Sequence, residues 1–159
     1  MAGDIRAKER AIVTLTSTGA SLTTGSAGAA NGTADFDARS AGNAADDLRA
    51  QFELTCQWGT VTGITANTVV AELYLVPALD GTNFPDIDTT SGSSVLPMAT
   101  YVGPFVATKA PTASTNARFV SPAVDLLPVL YRPYIKNTSG QTISANWTLK
   151  VVSAQAQYT

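Results

Sequence analysis

Across residues 51–58 the chain alternates without a break. Phe52, Leu54, Cys56 and Trp58 fall on one side, and Gln51, Glu53, Thr55 and Gln57 on the other. A period of two belongs to a strand with one face buried and one face wet; a helix would spread these residues around its whole circumference. The segment 47–58 therefore predicts a half-buried strand. Other runs repeat the pattern. Residues 12–16 (Ile-Val-Thr-Leu-Thr) predict a short strand. Residues 68–76 set Ala71, Leu73 and Leu75 against Val70, Glu72, Tyr74 and Val76. Both sides of that run are largely apolar, as in a central strand or one covered by another subunit. Pro77 is expected to end it. Further β segments are predicted at 95–96 and 98–107, with Pro97 and Pro104 favouring edges or bends. Toward the C-terminus, residues 129–136 and 141–152 flank Asn137-Thr138-Ser139-Gly140 and predict a hairpin. Its second limb sets Ile143, Ala145, Trp147, Leu149 and Val151 on one face.

Helical spacing is nowhere sustained. The expected fold class is therefore all-β: an antiparallel β-sandwich, jelly-roll-like, with an extended N-terminal arm. Residues 1–46 would hold the arm, the first strand and a flexible Ser/Thr/Gly/Ala loop over 17–30; residues 47–159 would form the sandwich body. A chain of 159 residues is one domain's length, and 45% hydrophobic content supplies a core without staples. Phe52, Leu54, Trp58, Leu73, Leu75, Trp147 and Leu149 are the expected core.

Composition bears on function through what is scarce. The sequence has no histidine and one cysteine, Cys56. A Ser-His-Asp or Cys-His pair cannot be assembled, and zinc sites built on Cys and His have no ligands. Cys56 lies in the apolar register, where it reads as a small core residue. The chain is expected not to be an enzyme and to need no cofactor. A lone cysteine forms no intrachain disulfide, and no basic start runs into an apolar leader, so synthesis in a cytoplasm without export is expected. No run is long enough for a bilayer and no stretch is basic enough for nucleic acid, so neither is an expected partner.

Charged residues make up only 14% of the chain, against about 25% in typical domains, which suits a surface that packs on other subunits. The charges are unevenly placed. Residues 40–108 hold seven acids and one base, Arg49, whereas residues 109–159 hold five bases and one acid, Asp125. Pairing within the domain is the expected outcome, with orientation of neighbouring copies as the alternative. One loop gathers oxygen ligands: Asp80, Asn83, Asp86 and Asp88. The spacing is not that of an EF-hand, and Asx residues also stabilise turns through their own backbone. An ordered turn is expected there, with calcium as the alternative. Interface candidates are Arg6, Lys8 and Arg10 in the arm, and Val70 and Tyr74 on the second face of 68–76.

The stretch Ala71-Glu72-Leu73-Tyr74-Leu75-Val76-Pro77-Ala78-Leu79-Asp80-Gly81-Thr82-Asn83-Phe84 resembles a segment of small tailed-bacteriophage virion proteins, in which a strand ending "LYLVP-LDGTN-P" precedes a "VG-F" strand. Tyr101-Val102-Gly103-Pro104-Phe105 is similar to the latter. Residues 136–145 (Lys-Asn-Thr-Ser-Gly-Gln-Thr-Ile-Ser-Ala) resemble the family's "NNSGQ-LSA" turn. The resemblance spans residues 47–153 and implies a virion structural protein, most simply a head decoration (cement) protein on the outer capsid. Its implied partners are the major capsid protein and its own copies, as a homo-oligomer such as a trimer. A tail or neck component, and a carbohydrate- or calcium-binding host-adsorption module, are the alternatives.

Overall fold

The computed structural model describes residues 5–9, 11–16, 20–29, 35–39, 47–85 and 99–158. Every regular element among them is a strand: β1 (Ile5–Glu9), β2 (Val13–Thr16), β3 (Ala27–Ala29), β4 (Phe36–Asp37), β5 (Asp47–Cys56), β6 (Val69–Ala78), β7 (Thr100–Val106), β8 (Ala117–Val120), β9 (Val124–Asp125), β10 (Leu130–Asn137) and β11 (Thr148–Tyr158). They form two antiparallel sheets that pack face to face, a β-sandwich. The larger runs β1-β11-β5-β8, with β2 also on β11 and β9 also on β5. The smaller runs β3-β10-β6-β7, with β4 also on β10.

The alternation read at residues 51–58 carries over directly. Phe52, Leu54, Cys56 and Trp58 are buried between the sheets in one cluster with Leu73, Leu75, Trp147 and Leu149. Phe36 of β4 meets Phe52 of β5 edge to face at 6.1 Å and stacks on Tyr131 at 6.5 Å, so aromatic contact ties one sheet to the other.

The predicted C-terminal hairpin is not formed. β10 pairs with β6 in the smaller sheet, and β11 pairs with β5 in the larger one. Asn137-Thr138-Ser139-Gly140 is a crossover between sheets rather than an exposed tip. Asn137 is fully buried. Its Nδ2 donates to Leu22 O and Gln141 O, both at 2.7 Å, and its Oδ1 accepts from Ser139 N at 3.0 Å. Ser139 Oγ accepts from Trp58 Nε1 at 3.1 Å. These bonds turn the chain inward, and Ile143 then bridges to both Leu22 and Trp58.

The Ser/Thr/Gly/Ala stretch is also a correction where it is described. Residues 27–29 form β3 on β10, Leu22 is buried, and Gly25 N donates to Asn137 O. Small residues serve close packing here. A Cβ on Gly28 would lie 2.7 Å from Leu22 Cδ2 and 3.4 Å from Trp147 Cζ2. The N-terminal arm is extended, but over Ile5–Glu9 its backbone is an edge strand paired with β11. Elements of the first 46 residues thus enter both sheets.

Pro77 does not end its strand. β6 continues to Ala78 because β7 stops pairing at Leu75, leaving no strand on one side to receive an N–H. Pro133, in the middle of β10, falls in the gap between β4, which pairs at 130–131, and β3, which pairs at 134–136. Pro104 lies on β7, an edge strand as expected. A bulge at Val69/Ala71 changes the parity of β6, so that both Val70 and Ala71 are buried. The predicted segments at 95–96 and 98 lie outside the described residues.

Substitutions at two positions test the frame. Trp147→Ala removes a side chain that is 2% exposed and should lose ~3–5 kcal/mol of stability in urea unfolding. Asn137→Ala deletes four side-chain hydrogen bonds and orphans the Ser139 N–H, a loss of roughly 3–5 kcal/mol at ~1 kcal/mol per bond plus the desolvation cost. Asn137→Asp keeps the size but turns a carboxylate oxygen onto two carbonyl oxygens. It should be at least as damaging; a near-neutral Asn137→Asp would reduce the crossover to simple packing.

Candidate interaction face

The outer face of the larger sheet follows from strand register. Thr14, Lys150, Glu53 and Val120 lie side by side across β2, β11, β5 and β8. One row along, Thr148, Thr55 and Arg118 form a second line; on the other side, Val152 faces Gln51. Lys150 Nζ reaches Glu53 Oε1 at 3.7 Å in the middle of the face. Around that pair a groove of about 300 Å³ is lined by Ile12, Gln51, Glu53, Arg118, Val120 and Val152. Ile12 is 67% exposed and Val120 57%. The charge pair therefore stands among apolar side chains open to a partner, a composition suited to a protein interface with a polar rim.

The outer face of the smaller sheet is closed further. Tyr134, Tyr74 and Tyr101 lie in register across β10, β6 and β7, and the Tyr74 and Tyr101 rings are 5.3 Å apart. The Tyr74 hydroxyl donates to Glu72 Oε2 at 2.7 Å. Burial, and then the Glu72 carboxylate, push the Tyr74 phenol well above its ordinary range. Arg132 is held by both Asp35 oxygens at 2.9 and 3.1 Å and sits 4.0 Å over the Phe84 ring. That clamp ties the loop after β6 to the sheet.

The candidates from sequence are thus dispersed. Val70 is fully buried in the core and is no surface residue of this chain, because the bulge turned it inward. Tyr74 is half-buried on the opposite sheet from the groove. Arg6 and Lys8 belong to β1, at the edge of the groove-bearing sheet; Arg10 lies outside the described residues. Lys150, Val152, Arg118 and Val120 were missed. The outward parity of Glu53 and Lys150 was visible in the alternation, but their adjacency was not, because it depends on pairing β5 with β11.

At the acidic loop, Asp80 Oδ1 accepts from Thr82 N at 2.9 Å and Asn83 N at 2.7 Å, and Oδ2 accepts from Asn83 Nδ2 at 2.8 Å. Asx-turn bonding uses both carboxylate oxygens. Asn83, first through its backbone N–H, and Thr82 hold the Asp80 carboxyl below the usual carboxylate range. Asp86 and Asp88 lie outside the described residues, and among the described residues no three potential ligands gather into a metal site. Cys56 is buried, and desolvation pushes its thiol up to about 12, far from a reactive thiolate.

No family model and no curated protein matches the sequence. Among solved structures, the chain is similar to the PRD1 vertex protein P5 at 14% identity and a TM-score of 0.37, over 91% of this chain and 95% of that one. It is similar to a protein of the infectious bursal disease virus Gx strain at 14% identity and a TM-score of 0.38, over 97% of this chain and 36% of that one. It is also similar to latent PorU from Porphyromonas gingivalis at 13% identity and a TM-score of 0.36, and spans only 11% of that chain's length while 86% of its own is covered. With TM-scores below 0.5, these likenesses assign neither family nor function.

Calcium provides the test of the turn. Because Asp80 already spends its oxygens on Thr82 and Asn83, calcium and a chelator should give the same melting temperature. Ligand at 100 times its dissociation constant would add about 2.7 kcal/mol. A rise of that order, removed by Asp80→Asn, would make the loop a cation site.

Proposed function

We propose that this chain is a non-enzymatic structural protein of a tailed-phage virion, which attaches to the outer capsid surface as a decoration protein and reinforces contacts between capsomers. The observation that carries this reading is the outer face of the larger sheet, where Ile12, Val120 and Val152 surround the Lys150–Glu53 pair in a shallow groove. Docking on a capsid would cover apolar area at about 25 cal/mol per Å² and place a charge pair to fix orientation. The resemblance of 71–84 and 136–145 to small virion proteins supports the same reading. Those two stretches form β6 with its Asp80 turn and the Asn137 crossover, elements that build the sandwich and leave the opposite face for a partner. Many copies on one shell would add avidity to a modest single contact.

The reading is tested by adding purified protein to capsids of the phage that encodes it, stripped of this chain. The expected result is bound protein on the head in electron micrographs. Val120→Asp with Val152→Asp should keep the melting temperature and weaken attachment at least tenfold, ~1.4 kcal/mol. Undiminished binding by that variant would remove the groove from the interface. Density on the tail or neck alone would replace decoration by a tail role.

A further inference from the structure

β8 is the last strand of the larger sheet and pairs only with β5. Ser121 N donates to Phe52 O at 2.8 Å, just beyond the end of β8. In an antiparallel ladder, the N–H and C=O of one residue point the same way and alternate sides along the strand. The backbone groups of Phe119 and Ala117 therefore face β5, and those of Arg118 and Val120 face away from it, where no strand pairs among the described residues. The other edge strand on this side, β7, carries Pro104 and a glycine at φ 151° (Gly103), both of which discourage pairing. Within Ala117–Val120 there is no proline, glycine or bulge.

Beside this edge lies a second groove, of about 360 Å³, lined by Thr108, Lys109, Thr112, Thr115, Asn116 and Arg118 among others. No residue of β5 lines it; besides Ala117, Arg118 and Phe119 of β8, its wall is the loop that leads into that strand. Its wall has two cations and no acid. Lys109 and Arg118, like Lys136 elsewhere, have no ion pair or side-chain hydrogen bond among the described residues, whereas Arg49, Arg132 and Lys150 are each paired with a carboxylate.

We infer that the free edge of β8 binds an extended polypeptide segment carrying carboxylates on alternate residues, which adds to the sheet as a further antiparallel or parallel strand. The backbone of Arg118 and Val120 supplies the hydrogen bonds, and Lys109 and Arg118 select the charge. Alternate side chains of a strand share a face, about 6.6 Å apart, so carboxylates two residues apart reach both cations from one side. A second copy of β8 is a poor occupant: it would bring Lys109 and Arg118 of both chains against one another with no acid between them. The edge borders the face proposed for the capsid, and Arg118 and Val120 belong to both; the inference rests on the backbone of that edge and stands without the capsid reading.

The probes are two acetylated, amidated heptapeptides, Thr-Glu-Val-Glu-Val-Glu-Thr and the same peptide with Lys for Glu, titrated into the ¹⁵N-labelled full chain. The Glu peptide should shift the amide resonances of Arg118, Val120 and Lys109, and slow hydrogen exchange at Arg118 and Val120. The Lys peptide should do neither. Val120→Pro removes the outward-facing N–H while leaving the bonds of Phe119 and Ala117 to β5 in place, and should weaken Glu-peptide binding at least tenfold. Lys109→Glu with Arg118→Glu, both exposed positions, should invert the preference between the peptides. No response at Arg118 and Val120, an equal response to both peptides, or an unchanged preference in the charge-reversed variant would each overturn the inference.

Discussion

Asn137 is the point at which the chain leaves one sheet for the other, and the sandwich depends on it. A backbone that crosses a hydrophobic core exposes N–H and C=O groups to surroundings that cannot solvate them. Asn137 answers that demand with an amide that donates twice and accepts twice, from Ser139 N and Oγ, while its own backbone N–H and C=O bond to Ser26 and Gly25. Ser139 extends the network to the Trp58 indole. Three chain segments distant in sequence, 22–26, 58 and 137–141, are thereby held at one buried point. With the crossover in place, β10 and β11 are committed to opposite sheets, and Ile143, Trp147 and Leu149 are delivered into the space between them.

Around that point, fit is achieved with small residues and with prolines placed where strands have no neighbour. Gly28 lets β3 approach Leu22 and Trp147 more closely than any side chain would allow. Among the described residues, Pro77, Pro104 and Pro133 each occupy a stretch of strand with one side unpaired. Proline cannot donate to a ladder, so a strand tolerates it only where no bond is asked for. The same rule makes the missing proline on β8 informative, since that edge keeps its full hydrogen-bonding capacity beside two cations that have no ion pair among the described residues.

Part of the uneven charge along the sequence is paired within the domain. Lys150 meets Glu53 and Arg49 meets Asp125 across the larger sheet, and Arg132 meets Asp35 on the smaller one. Exposed pairs of this kind add little to stability, on the order of 0–1 kcal/mol each. Their weight lies in specificity: a charge pair centred on an apolar face admits partners in few orientations. Among the described residues Lys109, Arg118 and Lys136 have no ion pair, and the first two stand together beside the β8 edge.

Periodicity determined the fold class, the core and the outward parity of the strands from the sequence alone. Phe52, Leu54, Trp58, Leu73, Leu75, Trp147 and Leu149 are buried as their alternation required, because burial on one face of a strand is a local pattern with a period of two. The Asx turn at Asp80 was legible for the same reason, since its bonds span three residues. Only the tertiary structure decided which strands are neighbours. Asn137-Thr138-Ser139-Gly140 has the composition of a hairpin tip, and nothing local distinguishes a tip from a crossover whose partners are Leu22 and Trp58. The bulge that buries Val70 is likewise a property of the β6–β7 register. The grooves of the larger sheet arise from pairing segments as far apart as residues 14, 53, 120 and 150. Register between distant strands is set by the core they share, and no window on the sequence contains it.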